Sequence, residues 1–454
     1  MGVQVVEGST GLLPPLRKDP SMSVALAAAR RPRLDLEAPL APEHEQIVRD
    51  TLPLVGAHIE QIAPVFYRRM FTAHPELLRD TFNRGNQAQG AQQKALASSV
   101  ATYATLLVTP DAPSPRELLS RIGHKHVSLG ITEDQYGIVH EHLMAAIVEV
   151  LGEDAVTAEV AGAWDAVYWH MARTLISFET EMYADAGVEA GDVFREAVVV
   201  RRTEESSRVV SFDLAAPEGA EPLREFLPGQ YISVGVVLPD GARQLRQYSL
   251  SDAPGEGRWR ITVCREHGLD GTPDGEVSTW LHENLGEGDR LQVTLPAGDL
   301  TLDTASTDPV VLVSAGIGVT PMLGMLRHIA AAQPEREVRV LHADAHAADA
   351  ALVRELAETV AALPEEAPSR LDLWFSRSAD GAPVLPGHGQ TRSRVSAGRM
   401  EITAEHLPDG AEMYLCGSSA FLQGAREQLR RVGADEERVH FELFSPNDWL
   451  LPGC

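Results

Sequence analysis

Ser314-Ala-Gly-Ile-Gly-Val-Thr-Pro-Met322 follows an apolar run and opens a helical pattern, the place where a phosphate-binding turn belongs. Gly316 and Gly318 let the backbone come close to a pyrophosphate. Thr320, after Val319, can cap the helix, and Pro321 falls where a first-turn proline is tolerated. The third glycine of the dinucleotide fingerprint is missing, so an ordinary glycine-rich strand–helix turn reads equally well. A second stretch, Arg246-Gln-Tyr-Ser249, alternates as a strand does and puts Arg246 and Tyr248 on one face. A guanidinium pairs with a diphosphate bidentately, and an aromatic can cover a flavin ring; an exposed Arg beside a packed Tyr would look alike. Third, Gly275-Glu-Val-Ser-Thr-Trp-Leu-His282 opens a helix with hydroxyls at its start. Free N–H groups there bind phosphate, although plain capping by Ser278 explains the same residues.

A fourth set lies nearer the N-terminus. Phe66-Tyr67 and Phe82-Asn83 precede Gln92 and Leu96, which are one helical turn apart and look into one pocket. His126 shares a helix face with Ile122 and Leu119, and Tyr136 and Glu179 follow. A histidine on an apolar face is a metal ligand or a structural residue, and His124 and His142 compete with His126 for the first role among 16 histidines.

These residues need elements to position them. From about Glu43 to Tyr183 apolar residues recur at three and four, as in Val48–Leu52–Val55, which predicts six to eight helices. Ala184 to Asp192 is a small-residue linker. The period then changes to two. Phe194–Val200, Arg208–Leu214, Tyr231–Val237, Gln244–Ser249, Arg258–Arg265 and Arg290–Leu295 read as strands of a small closed antiparallel barrel, with one helix over Ser278 to Leu285. From Asp308, the strands Val310–Val313, Val338–Leu341, Leu371–Phe375, Met413–Leu415 and Val439–Phe441 alternate with helices over Pro321–Ala332, Ala350–Ala362 and Ala420–Val432. That is a doubly wound parallel sheet. The organisation is multidomain: an extension over 1–42, an all-α unit over 43–185, a β-barrel over 193–303 and an α/β unit over 306–454.

Bulk composition mainly excludes. The chain has 454 residues, enough for about three domains of roughly 150 residues. Its net charge of −26, from 65 acids against 39 bases, argues against nucleic acid or an anionic membrane as partner and suits a cytoplasmic enzyme. The three cysteines, Cys264, Cys416 and Cys454, are far apart and build neither a disulfide framework nor an iron–sulfur site. Any electron relay must therefore use an organic cofactor or haem. No apolar run reaches the roughly 18 residues of a membrane span.

In order along the chain, Arg246-x-Tyr248-Ser249, Gly275-x-Val277-Ser278, Pro296-Ala-Gly-Asp299, Gly316-x-Gly318-x-Thr320-Pro321, Cys416-Gly417 and a terminal aromatic resemble the ferredoxin–NADP reductase family from Phe194 to Pro446. By that resemblance Arg246, Tyr248 and Ser249 hold FAD, with the Ser249 hydroxyl near the reactive flavin nitrogen. Gly275, Val277 and Ser278 serve its phosphates, and Tyr231 and Phe444 pack on the flavin. Gly316, Gly318, Val319, Thr320, Pro321, Cys416 and Gly417 seat NADH or NADPH. Ser376-Arg377 is either a grip for a 2′-phosphate or plain surface. Ser418 stands where that family usually has proline.

The helical set resembles the flavohaemoglobin family from about Glu43 to Tyr183, and the fused order of a globin, an FAD barrel and an NAD(P) domain is the same. The resemblance implies haem b with His126 as proximal iron ligand, Phe82 wedging the haem, and Tyr67, Gln92 and Leu96 on the distal side. It places Tyr136 and Glu179 behind the histidine. A carboxylate on the far imidazole nitrogen makes the ring a stronger donor and favours catalysis over oxygen storage. The implied activity is nitric oxide dioxygenation. Electrons from NAD(P)H pass through FAD to haem, nitric oxide and dioxygen become nitrate, and the chain works as a cytoplasmic monomer. The alternatives are reduction of peroxides or quinones, and a storage or sensor globin with its own reductase.

Overall fold

The computed structural model describes residues 39–80, 82, 91–109, 114–255, 257–268, 273–378 and 392–444, with the backbone alone at 91–98, 117 and 378. Most of the expected extension over 1–42 lies outside the described residues, as does Asn83.

Seven helices are described first: α1 (Pro42–Ala57), α2 (Ile59–Ala73), α3 (Pro75–Asp80), α4 (Ala91–Val108), α5 (Arg116–Leu129), α6 (Glu133–Leu151) and α7 (Ala158–Asp185). Local signals set their ends. Pro42 starts α1, Thr132 and Gln135 close a capping box on α6, and the Thr157 hydroxyl accepts from the Val160 N–H at the start of α7. Gly130, at φ 73°, stops α5 one turn after His126 in a conformation that favours glycine. Val48, Phe66, Met70, Leu119, Trp164 and Leu175 are among the buried residues of the core that these helices enclose. Helix α2 runs past Phe66-Tyr67 to Ala73, which puts Tyr67 in mid-helix, 3% exposed.

The helix that carries Glu179 stops at Asp185, and the next strand starts at Phe194, so the connection is short as expected. Strands β1 (Phe194–Ser206), β2 (Val209–Ala215), β3 (Tyr231–Val237), β4 (Arg243–Ser249), β5 (Arg258–Cys264) and β6 (Arg290–Thr294) pair antiparallel in the order β4-β3-β6-β1-β2-β5. A bridge from Leu250 to Ile261 joins the two outer strands and closes the barrel. Helix α8 (Glu276–Asn284) packs Val277 and Leu281 into the barrel core.

The last unit is a parallel sheet of β7 (Val310–Ala315), β8 (Val338–His346), β9 (Ser369–Ser378), β10 (Ser393–Ala397), β11 (Glu412–Gly417) and β12 (Val439–Leu443), in the order β10-β9-β8-β7-β11-β12. Helices α9 (Val319–Ala332), α10 (Val353–Ala362) and α11 (Ser419–Arg431) cover it. Strand order reverses between β7 and β11, which opens a crevice at their carboxyl ends, the usual ligand position in such sheets. Edge strand β10 was not expected; its short polar run carries no strong period. One sequence expectation is corrected at the glycine turn. The turn Gly316–Gly318 is 3₁₀, α9 begins at Val319, and the Thr320 hydroxyl donates back to the Ile317 carbonyl at 3.0 Å. Thr320 is therefore inside the helix and does not cap it. Ser418 does cap α11, accepting from the Phe421 N–H at 3.3 Å, so the usual proline is replaced by a residue that starts the helix well.

The helical unit is joined to the rest by polar and apolar contacts. Val127, Tyr183, Val193 and Leu295 form a small apolar cluster at the junction. The Gly298 N–H donates to His124 Nδ1 at 3.1 Å, and the Ser233 hydroxyl donates to Ser128 Oγ at 3.2 Å. Gln244 donates to the Arg79 and Phe82 carbonyls, which ties the start of β4 to the α3 end. Among the described residues no helix is long and apolar enough to cross a membrane.

Candidate functional site

One cavity of about 520 Å³ runs through all three units. At its helical end it is lined by Phe66, Tyr67, Met70, Phe82, Val100, Leu129 and Leu175, with His126 among them. Tyr231, Arg246, Tyr248 and Ser249 line it at the barrel, and Ile317, Thr320 and Phe444 at the sheet.

His126 has a fixed orientation. Its Nδ1 lies 2.8 Å from Glu179 Oε1 and 3.0 Å from the Tyr136 hydroxyl, which itself donates to the same Glu179 oxygen at 2.6 Å. Glu179 is 3% exposed and accepts both bonds. An acceptor carboxylate on Nδ1 places the proton there and leaves Nε2 as the unprotonated, electron-donating nitrogen. Burial, with Glu179 beside it, pushes the Tyr136 hydroxyl far above its ordinary value, so it stays a donor. His126 is the histidine that lines the cavity. His124 is buried with its Nδ1 engaged by Gly298, and His142 is buried away from the cavity, with both ring nitrogens unbonded. An imidazole with an anchored Nδ1 in an apolar chamber fits haem iron, and the aromatic wall of Tyr67 and Phe82 fits a flat macrocycle. The side chains of Gln92 and Leu96 lie outside the described residues; α4 carries both positions toward Ser99 and Val100, which line the cavity.

At the barrel end, pairing of β3 with β4 sets Tyr231 opposite Ser249 and Val234 opposite Arg246. Arg246, Gln247, Tyr248 and Ser249 all line the cavity, so the wall takes in the expected Arg246–Tyr248 face and the neighbours between and after them. The start of α8 stands beside it rather than in it. The Ser278 hydroxyl accepts from the Glu266 N–H at 3.1 Å and donates to the Gly275 carbonyl, so it does not cap the helix, and Val277 is buried. The Gly275 end thus keeps its first N–H groups free of any side-chain cap, which fits a phosphate. Glu266, held by Ser278, reaches the cavity.

At the sheet end Gly318 backs directly onto the Cys416-Gly417 segment; a Cβ there would stand 2.3 Å from the Cys416 carbonyl oxygen. The two loops meet across the switch point and form a cradle that only a residue without a side chain completes. Cys416 is fully buried, and burial pushes its thiol well up. Ile317 and Thr320 present this cradle to the cavity, whereas Val319 and Pro321 are buried in α9. Phe444 is 48% exposed and lines the same space. Ser376 and Arg377 are exposed at the end of β9.

Several lining residues were not singled out from the sequence. Arg121 and Lys125 lie on α5 with Ile122 and His126, at positions that continue one helix face, so the helical period contained the signal. Glu442 arrives by parallel pairing opposite Cys416, which no local pattern encodes. Burial lowers the Lys125 ammonium and, with Asp299 adding to it, raises the Glu442 carboxyl. Arg121, Lys125 and Arg246 face Glu266 and Glu442 in this lining, a basic excess within a chain of 39 bases and 65 acids. Such a reversal suits anionic ligands.

Residues 65–175 match the globin family, and residues 312–427 match the oxidoreductase NAD-binding domain family. The fold and the site thus define a globin joined to a nicotinamide-dependent oxidoreductase. The chain is 43% identical over 412 residues to the flavohemoprotein of Bordetella parapertussis, covering 89% of this chain and 98% of that one. It is 38% identical over 414 residues to that of Rhizobium meliloti, with 90% and 99% covered. The flavohemoglobin of Malassezia yamatoensis, solved with bound FAD and haem, superposes with a TM-score of 0.78 at 33% identity over 90% of this chain and 100% of that one. The chain belongs to the flavohemoprotein family.

Proposed function

We propose that this chain is an NAD(P)H-dependent nitric oxide dioxygenase that binds haem b and FAD and acts as a cytoplasmic monomer on nitric oxide and dioxygen. The observation that carries the reading is the continuous cavity, which has the His126–Glu179–Tyr136 cluster at one end and Arg246, Tyr248 and Ser249 at the other. The similar Malassezia yamatoensis protein contains the two cofactors this cavity would need. When bound, FAD divides the electron pair of a hydride into single electrons, and haem iron accepts them one at a time and binds diatomic ligands.

The residues of this chain do the rest. His126 Nε2 would be the donor for iron, with Glu179 holding the Nδ1 proton. Tyr67, its ring held by Phe71 and Phe82 at centroid distances of 5.4 and 5.9 Å, lines the same chamber. A donor in a dry pocket stabilises charge that builds up on a diatomic ligand. Arg246 would pair with the FAD diphosphate, Tyr231 and Tyr248 with the ring system, and Ser249 with its reactive nitrogen. The apolar walls exclude water that would otherwise intercept intermediates.

Anaerobic addition of NADH or NADPH to the FAD- and haem-loaded chain is expected to bleach the flavin band and then shift the haem band to its reduced form. A haem band that stays oxidised after the flavin is reduced would sink the relay. Gly318→Ala is expected to cut nicotinamide-driven flavin reduction by at least about a hundred-fold, because its Cβ must displace the Cys416 backbone by about an ångström. Rapid-mixing absorbance measures this, while chemical reduction of the same flavin by dithionite remains unchanged.

A further inference from the structure

The barrel and the sheet unit are locked by a charged network next to the cavity. Arg327, on α9, has Nη1 at 2.8 Å from Asp252 Oδ1, and it also pairs with Glu355 on α10. Glu355 Oε2 in turn lies 2.9 Å from Arg260 Nη1 on β5. Arg260 is 5% exposed. Its guanidinium donates to the Ser251 carbonyl at 3.1 Å and to the Ser251 hydroxyl at 3.2 Å. The Ser251 hydroxyl is bonded to Thr262 Oγ1 at 2.8 Å, and Thr262 lines the cavity. Two acids and two bases thus alternate across the junction, with Glu205 and Asp213 adding negative charge beside the two arginines.

The placement matters more than the count. Ser251 and Asp252 lie two and three residues after Ser249, just past the end of the strand that faces the flavin site. Thr320, Gly324 and Arg327 share one face of α9, at helical spacing. Thr320 lines the cavity, Gly324 lies so close to the barrel that a Cβ would stand 2.7 Å from the Leu250 carbonyl oxygen, and Arg327 reaches Asp252. One helix face therefore runs from the nicotinamide cradle to the end of the flavin strand, held by a largely buried Arg260–Glu355 pair and by a more exposed Arg327–Asp252 pair that water screens more.

We propose that Asp252, Arg327, Glu355 and Arg260 are positioning residues for hydride transfer, a network that sets the nicotinamide turn at its working distance and angle from the flavin strand. The inference rests on the reading of the two ends as FAD and nicotinamide sites. Hydride transfer moves a proton and an electron pair together from the nicotinamide ring to the flavin, and its rate depends on how those rings are held. None of the four residues lines the cavity.

The test is anaerobic rapid mixing of the full FAD- and haem-loaded chain with whichever of NADH and NADPH reduces wild type faster. Arg327→Gln and Asp252→Asn are expected to lower the limiting rate of flavin reduction by about ten- to a hundred-fold, the usual loss for a misplacement of about an ångström, with nucleotide affinity nearly unchanged. Deuterium at the transferred position should slow both variants more than wild type. Arg327→Lys should recover most of the rate, since it keeps the charge next to Asp252. A limiting rate equal to wild type overturns the proposal, and so does a defect confined to nucleotide affinity or to FAD content. Asp252 is 39% exposed by side chain, so its variant gives the readout even if Arg327→Gln does not fold. Wild-type flavin that neither nucleotide reduces overturns the functional reading itself; fast wild type with unaffected variants overturns only the network's role.

Discussion

His126→Ala is expected to keep FAD and nicotinamide-driven flavin reduction while losing stable haem binding, with nitric oxide consumption down by more than about a hundred-fold. Removal of outer partners of a metal ligand alone costs about 10–100-fold, and removal of the ligand costs more. The reason is local. Among the described residues His126 is the cavity-lining imidazole; His124 accepts from Gly298, and His142 lies outside the cavity lining. The substitution also leaves Glu179 buried with its side chain 4% exposed and one partner gone. Imidazole added to the solution should enter the vacated space and restore part of the haem band. Absorption spectra of wild type and variant after haem addition decide it; a variant with a normal haem spectrum would show that another residue binds the iron.

The second large effect concerns the carboxylate. Glu179→Gln preserves shape and the hydrogen bond to Tyr136 but removes the negative charge that pulls on the His126 Nδ1 proton. The imidazole becomes a weaker donor, oxidised iron loses stabilisation, and the haem midpoint potential rises. Turnover should fall by about 10–100-fold, in line with other partners of metal-bound histidines. Spectroelectrochemistry reads the potential, and nitric oxide consumption reads the rate. An unchanged potential would mean that Glu179 only fills space, and the catalytic rather than storage character of the chamber would lose its support.

Both predictions use residues that the family resemblance pointed to; periodicity alone set helix and strand faces, did not choose His126 over His124 or His142, and said nothing of Glu179. His126, Ile122 and Leu119 recur as a helix face does, and Arg246 and Tyr248 alternate as a strand does. The glycine turn was legible because a turn that touches another backbone admits no side chain, as Gly318 against Cys416 demonstrates. What could not be read is whatever tertiary pairing assembles. Glu442 enters the cavity because β12 lies beside β11, and His124 accepts from Gly298 across 174 positions of chain. The network of Asp252, Arg260, Arg327 and Glu355 draws on four separate segments, each of which looks like an ordinary charged residue in isolation. The capping expectation at Thr320 failed because the turn Gly316–Gly318 is 3₁₀ and the helix starts at Val319, two residues earlier than Pro321.

One cavity would couple nicotinamide oxidation to the conversion of nitric oxide and dioxygen into nitrate. The most direct measurement is the ratio of nitrate formed to NAD(P)H oxidised by the FAD- and haem-loaded chain supplied with both gases. Nitric oxide plus dioxygen needs one electron to become nitrate, and a hydride carries two, so two nitrates are expected per nicotinamide. Brisk nicotinamide oxidation with no nitrate, the electrons appearing instead in peroxide or in a reduced quinone, would contradict it.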